Sequence, residues 1–429
     1  MKRITTAALT ACAAATARGS VPRPARRTAR RTAPGALAAL LLAVAGVAHA
    51  DVLPEERADV SWRMYEGGGL KVTGPAVLVR KNFADQVSVT AGYLVDHVSG
   101  ASIDMLVQGA SPLKEERKQK TLGIEYLRGK TTYSVGVQSG IENDYDSSTV
   151  SASVAQAMFG DLTTVTFGAG RGWDIVTKRI GGPLRLRDAN PCHDTSSKPR
   201  CRVDRKSWSL GVSQILTRNL IGGLDYEAIT EQGYLQNPYR EIRYVSGSNA
   251  AGNPTAYSMA EEHFPGTHTT NSAALRLKYF LPWHAALTGR YRYSSDTWDI
   301  RAHTLELGYT QPLFKEALIA DLTARHYKQG AASFYSDLFP SANFQNYMAR
   351  DRELAAQKND DFGVAFSYDL IKSKRFFVHK ASVALHYDYI NYRYQDFRDA
   401  RLVPGVAPGS EPLYHNTASV IQASLSGWF

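Results

Sequence analysis

From residue 57 to its last residue the chain is written largely in period two, and that pattern excludes most folds at once. Phe362, Val364, Phe366, Tyr368 and Leu370 alternate with Asp361, Gly363, Ala365, Ser367 and Asp369. Val383, Leu385, Tyr387 and Tyr389 alternate with Ser382, Ala384, His386 and Asp388, and Leu275, Leu277, Tyr279 and Leu281 alternate with Arg276, Lys278 and Phe280. Successive side chains of a strand point to opposite faces, so each run turns one apolar and one wet face outward from the same backbone. Such runs number sixteen, near 57–66, 70–81, 86–97, 118–128, 131–142, 147–158, 162–174, 204–215, 219–231, 270–281, 284–296, 300–311, 316–328, 358–371, 377–394 and 415–429.

The connections fall into two sets that alternate without a phase error. One set is tight: Asn82–Asp85, Gly129-Lys130, Phe159–Asp161, Thr217-Arg218, Pro282-Trp283, Pro312–Lys315 and Ile371–Arg375. The other holds the long segments Val98–Arg117, Ile175–Val203, Gln232–Thr269, Gln329–Gln357 and Gln395–Tyr414, with three short members at 67–69, 143–146 and 297–299. Short turns at one end and long loops at the other describe a transmembrane antiparallel up-and-down β-barrel, with the turns periplasmic and the loops extracellular. A soluble sandwich would also alternate, because a sheet wet on one side does so. Only a closed sheet, however, satisfies every backbone group in lipid, and tyrosine-rich apolar faces suit that solvent. The expected fold is therefore all-β, one barrel of about 16 strands formed by residues 51–429.

Both ends of the chain agree. Residues 1–50 contain eight Lys or Arg and no acidic residue, with Arg23, Arg26, Arg27, Arg30 and Arg31 preceding an apolar run from Ala36 to Val47. Ala48-His49-Ala50 then offers a small-residue cleavage site, so a Sec-type signal peptide ending at residue 50 is expected. The run is shorter than the ~20 residues of a spanning helix. At the other end Ser419, Ile421, Ala423, Leu425, Gly427 and Phe429 share one face. This strand resembles the closing strand of bacterial outer-membrane barrels, whose terminal aromatic residue engages the barrel-assembly machinery. The resemblance implies an outer-membrane location, with lipid and lipopolysaccharide as surroundings. The formal charge is +10, but the leader carries 8 of the 50 basic residues and none of the 40 acidic ones, leaving +2. Nucleic acid is therefore not an expected partner. Roughly six residues between the cleavage site and the first strand leave no room for a plug domain of the energy-coupled iron transporters.

Several segments resemble a widespread proteobacterial family of outer-membrane barrels known as domain of unknown function three-five-seven-zero. They are Tyr65-Glu-Gly-Gly-Gly69, Val72-Thr-Gly-Pro-Ala-Val-Leu-Val-Arg-Lys81, Glu142-Asn-Asp-Tyr145, Gly172-Trp-Asp174, Leu235-Gln-Asn-Pro-Tyr-Arg240, Phe280-Leu-Pro-Trp283, Asp296-Thr-Trp298, Phe334-Tyr-Ser-Asp-Leu-Phe-Pro340, Met348-Ala-Arg-Asp351 and Glu411-Pro-Leu-Tyr414. The resemblance implies an exported barrel without assigned catalytic residues. Genes of the family often stand beside those of thioredoxin-like and flavin-transferring proteins, which implies a periplasmic redox partner.

The wet faces carry the candidate site. Glu125, Asp225, Glu227, Arg276, Lys278, Arg290, Arg292, Glu306, Asp321, Arg325, His386 and Asp388 all fall on them. The runs near 219–231 and 300–311 present acids, and the two between them present Arg and Lys. Neighbouring strands lie about 4.8 Å apart, so these charges can meet across the wall. They serve either to satisfy one another in a polar lumen or to form an electrostatic constriction that filters solutes. Passage is the leading expectation, as a porin-like or substrate-specific channel. A scaffold for the redox partner and a barrel hydrolase are the alternatives. The hydrolase would draw on His303, His326 or His386, but G-x-S-x-G, H-E-x-x-H and a haem-attachment motif are missing. No cofactor or resident metal is expected.

Three loop features add to this. Cys192 and Cys201 stand close together in an exported chain, so a local disulfide is expected, against zinc binding with His193. Glu142-Asn-Asp-Tyr-Asp146 reads as a solvated turn, with Ca²⁺ or a lipopolysaccharide-bridging cation as the other reading. Phe334, Tyr335, Phe339, Phe344 and Tyr347 crowd one loop, and large exposed aromatic patches are disfavoured in water. That loop is expected to fold inward or onto its neighbours.

Overall fold

The computed structural model describes residues 52–100, 113–177, 200–237, 240–372, 377–401 and 405–429. The expected signal peptide and Cys192 lie outside them. The strands are β1 (Arg57–Gly67), β2 (Leu70–Phe83), β3 (Val87–Gly100), β4 (Leu113–Arg128), β5 (Thr131–Ile141), β6 (Tyr145–Met158), β7 (Thr163–Thr177), β8 (Arg200–Thr217) and β9 (Leu220–Gly233). They continue with β10 (Glu241–Ser248), β11 (Pro254–Glu261), β12 (Thr267–Phe280), β13 (Ala286–Asp296), β14 (Arg301–Leu313), β15 (Leu318–Gln329), β16 (Gln357–Lys372), β17 (Lys380–Arg398) and β18 (Leu413–Trp428). Sixteen of them close into one antiparallel barrel, and β10–β11 form a separate hairpin. Closure comes from β1 pairing with β18, from Arg57↔Trp428 to Gly67↔Ala418, so the barrel has no open edge.

Alternation decides which face meets which solvent. Val60, Val79, Ile124, Val135, Leu224 and Leu307 point outward and are exposed. In water such a belt would be costly, whereas against hydrocarbon it is the stable arrangement of a transmembrane barrel. The turns at one end are short, and several place non-glycine residues at left-handed φ, among them Phe159 (54°), Asp161 (67°) and Lys315 (56°). At the other end Gly68 and Gly69 both have positive φ, 61° and 80°, which suits a two-residue hairpin turn twisted with its strands.

The sixteen expected runs match the sixteen barrel strands. Two differences concern the loop end. The strands there run further than the alternation suggested: β8 has 18 residues and β17 has 19. A membrane crossing needs about 9–11 tilted residues, so these strands project beyond the bilayer. The second correction is the segment Gln232–Thr269, expected as a loop, which contains β10 and β11. β9 and β12 pair directly beneath that hairpin.

Candidate functional site

The lumen has two unlike walls. On β3 to β8 the inward positions at mid-height are small, among them Gly92, Gly136, Ser151, Gly170, Ser207 and Ser209, and all six are partly solvent-exposed. A sixteen-stranded barrel is wide enough to leave an aqueous channel, and these residues line it without filling it. The opposite wall, β9 to β17, carries long charged side chains.

Register places those charges against one another. Arg276 on β12 faces Arg290 on β13, and each turns away to an acid on its far side. Arg276 Nη2 donates to Asp225 Oδ1 at 2.8 Å. Arg292 Nη2 donates to Glu227 Oε2 at 2.7 Å and to Ser272 Oγ at 3.0 Å. Glu306 stands between two cations, with Arg290 Nη1 at 3.5 Å and Arg325 Nε at 3.3 Å. Arg325 in turn faces Asp361, and His386 Nε2 lies 2.9 Å from Asp388 Oδ1. Asp321 accepts a 2.5 Å hydrogen bond from Thr310 Oγ1. Lys278 faces inward but stands apart from this ladder: it is exposed near the turn end, with Nζ 5.4 Å from the centre of the Phe280 ring. Glu125 lies on the opposite wall, on β4, facing Ser88 of β3. Of the three histidines considered for hydrolysis, His303 and His326 face outward, bonded to the Tyr291 hydroxyl and to Asp360, both at 2.7 Å. His386 is the one that points into the lumen.

Above the wet zone the described loops pack into a cap. Loop 330–356 lays its backbone along the hairpin: Val245 N donates to Phe339 O at 2.9 Å and Phe339 N to Arg243 O at 2.8 Å. His263 and Met348 exchange two 2.9 Å backbone bonds. Phe334, Leu354, Phe264 and Trp298 form one buried cluster, and Ile242, Phe339 and Met348 another. Ala355 packs among Ile390, Tyr392 and Val420, on the inner side of β17 and β18. The loop therefore folds inward as expected for Phe334, Tyr335 and Phe339, but Phe344 and Tyr347 remain exposed at 56% and 41%.

Buried charges run through this cap. Arg243, fully buried on β10, bonds Asp337 and, through Nη1 at 2.6 Å, Glu411 Oε1. Arg350 bonds the same Asp337, with Nε 3.0 Å from Oδ1, and reaches the Arg398 carbonyl at 3.0 Å. Arg240 pairs with Asp351. Glu262 accepts from Arg350 N at 2.8 Å. Outside the membrane span, Glu411 is pushed up by burial, but the hydrogen bond from Arg243 and two backbone donors outweigh this and hold its pKa below the ordinary value.

A second buried network joins the upper ends of β6 to β13. Arg205 bonds Asp174, which also accepts from the Tyr145 hydroxyl at 2.7 Å. Arg205 Nε donates to Glu231 at 3.2 Å, and His268 spans Glu231 (3.3 Å) and Asp296 (2.8 Å) while stacking on Trp298 at 3.9 Å. Beside it, Glu142-Asn-Asp-Tyr-Asp146 is not the solvated turn expected of it. Glu142, Asp144 and Tyr145 are buried, and Arg117 Nε lies 3.5 Å from Glu142. Strand extension encloses this turn, and carboxylate oxygens of Glu115, Glu142 and Asp144 lie within 4.8 Å of one another. Across the barrel, Arg63 holds Asp96 in a bidentate buried pair at 2.6–3.0 Å. Cys201 is buried at the start of β8 and disulfide-bonded, with Cys192 outside the described residues.

Sequence reasoning located the mid-height ladder but missed these two upper networks. The signal was in the motifs: Tyr145, Asp174, Asp296 and Trp298 come from three of the quoted segments, and Arg240, Asp337, Arg350, Asp351 and Glu411 from four others. Segments scattered through the sequence meet at one end of the barrel.

No curated protein matches the sequence. Among solved structures, a bacterial polysaccharide outer membrane secretin is similar at TM-score 0.46 and 9% identity, covering 88% of this chain and 100% of that one. OccK2 (OpdF) of Pseudomonas aeruginosa, solved with glucuronate, is similar at 0.39 and 10% identity, covering 88% and 99%. OmpT of Vibrio cholerae is similar at 0.37 and 9% identity, covering 88% and 99%. The sequence itself is more specific: residues 36–387 match the family described as a protein of unknown function (DUF3570), and the chain belongs to that family.

Proposed function

We propose that this chain is an outer-membrane, porin-like passive channel whose loop-side cap acts as its gate. The observation that carries the reading is the wet lumen itself, small-walled on one side and charge-laddered on the other, lying beneath loops that pack across its end. Arg276, Arg290, Arg292 and Arg325 alternate with Asp225, Glu227 and Glu306, so a solute crossing mid-height passes a transverse field. Fixed charges at close quarters select solutes by sign. The apolar belt and the closure of β1 on β18 support the membrane location.

The test is conductance of the purified chain in planar bilayers. Discrete steps are expected, and Arg276→Gln with Arg292→Gln should move the reversal potential in a salt gradient toward cation preference. A bilayer that stays sealed, for the natural chain and for a variant with a loosened cap, would overturn the channel reading and favour a scaffold for a periplasmic partner.

A further inference from the structure

The outward face carries a line of Lys, Arg and His side chains that the lumen does not use. Register sets His303 of β14 opposite Lys328 of β15, Lys328 opposite Lys358 of β16, Lys358 opposite Arg393 of β17, and Arg393 opposite His415 of β18. All five share the parity of the belt residues on their strands, and His303, Lys328, Arg393 and His415 are exposed while Lys358 is half-buried. Neighbouring strands are about 4.8 Å apart, so the line is about 19 Å long.

Like charges directly opposite one another destabilise a sheet, so Lys328, Lys358 and Arg393 in successive opposition need a reason. The row and the next one toward the belt, Leu305, His326, Asp360, Asn391 and Thr417, contain a single carboxylate, Asp360. It is taken up by Arg393 and His326. Lys328 and Lys358 have no ion-pair partner among the described residues. An anion supplied from outside would balance the row.

Position says what kind. On β14 the exposed Leu305 follows His303 directly along the face, so the row starts at the belt edge. On β18, Thr417 and Ser419 intervene before Ile421, so the row climbs away from the belt as strand tilt requires. It lies on the cap side, next to Gln329 and Gln357. Acyl chains packed on Leu307, Phe362 and Tyr389 would hold their headgroup against these cations.

We infer that His303, Lys328, Lys358, Arg393 and His415 form a docking surface for a phosphate-bearing lipid headgroup of the loop-side leaflet. The inference rests on the membrane location proposed above.

The test uses the full exported chain, folded in neutral detergent and titrated with diphosphorylated lipid A in mixed micelles, read by native mass spectrometry. Lys328→Gln, Lys358→Gln and Arg393→Gln together should weaken retention by about tenfold or more, with heat-modified gel migration unchanged. A matched triple on the far wall, Lys120→Gln, Arg171→Gln and Lys206→Gln, should leave retention within about twofold. Unchanged retention in the first triple, or equal loss in both, overturns the inference. Competition by millimolar inorganic phosphate as effective as by lipid would also overturn it, since the site would then read phosphate without the chains. Density-gradient fractionation of cells tests the outer-membrane location separately, so the two readings can fail independently.

Discussion

Replacing Asp337 with alanine should release the cap while leaving the barrel intact. Asp337 is buried and its carboxylate serves two guanidiniums: Oδ2 takes Arg243, and Oδ1 takes Arg350 at 2.8 and 3.0 Å together with Arg398 N at 3.2 Å. Arg243 would keep Glu411 at 2.6 Å. Arg350 would keep only the Arg398 carbonyl, the Asp337 carbonyl and the Phe397 ring, 4.5 Å from its guanidinium carbon. Breaking a buried ion pair by removing one partner costs about 3–5 kcal/mol, because the other charge stays desolvated. The contacts that remain put this case at the lower end, about 3 kcal/mol, or roughly a hundredfold in the opening equilibrium. Hydrogen exchange reads that equilibrium directly. The amides of Val245, Phe339 and Met348, each bonded across two cap segments, should exchange about a hundredfold faster. Amides of β3 to β8 should not change. Unaltered protection at those three amides would refute the reasoning, and so would equal loss in the cap and the barrel wall. Asp337→Asn, which keeps the shape but not the charge, should fall between the natural chain and the alanine variant.

Gly74→Ala should destabilise the barrel by about 2–3 kcal/mol, since an added Cβ would stand 1.8 Å from the Val95 carbonyl oxygen and 3.0 Å from Asp96 Oδ1. Gly123→Ala, whose Cβ meets nothing nearer than 3.9 Å, is the control, and urea unfolding in detergent should separate the two. Acid should loosen the cap: Glu411 is held below its usual pKa of 4.5, so its contribution is complete above pH 4.5 and is lost as pH falls through the lowered value. Protease nicking of loops 330–356 and 399–412 should therefore rise as the pH is taken below 4.5, and Glu411→Gln should flatten that profile. The exported chain should show no alkylatable thiol under denaturing conditions and two after reduction, with one peptide joining Cys192 to Cys201.

Much of the barrel is legible from sequence because lipid enforces alternation on one face. Leu275, Leu277 and Tyr279, or Phe362, Val364 and Phe366, can be sorted without coordinates since their outward solvent is uniform. The alternation fades where that solvent ends. At the top of β17, Tyr392 and Tyr394 turn inward under the cap while Arg393 turns outward, so both parities look mixed and the alternation fades before the strand ends at Arg398. The β10–β11 hairpin was missed for a related reason. Arg243 sits fully buried beside Ile242, which reverses the polar-out rule, and only its long-range acids Asp337 and Glu411 explain it. The mid-height ladder was readable because β9, β12, β13 and β14 are neighbours in register. Arg63 with Asp96, or Arg205 with Glu231, are also short-range in the sheet, but each looks like an isolated charge until the register is known.

The way the cap is held bears on whether it is a fixed lid. Replacing buried ion pairs with well-packed apolar residues is often neutral or stabilising, so a permanent seal could be built from apolar contacts alone. The cap contains both kinds of contact. Phe334, Leu354, Phe264 and Trp298 pack as an ordinary apolar core would, yet Arg240, Arg243 and Arg350 run through the middle beside them. Each arginine joins different stretches of chain: Arg243 ties the hairpin to loops 330–356 and 399–412, Arg240 ties the segment before β10 to Asp351, and Arg350 ties loop 330–356 to the end of β17. Such pairs give geometric specificity at a cost in stability, because each one is strong only while every partner is in place. Losing Asp337 or neutralising Glu411 should therefore free whole segments rather than single side chains. The barrel wall, whose charges are paired between strands one or two places apart in a single closed sheet, has no comparable dependence. A lid that detached as a unit from a wall that stays closed is what the proposed passage through this lumen would require.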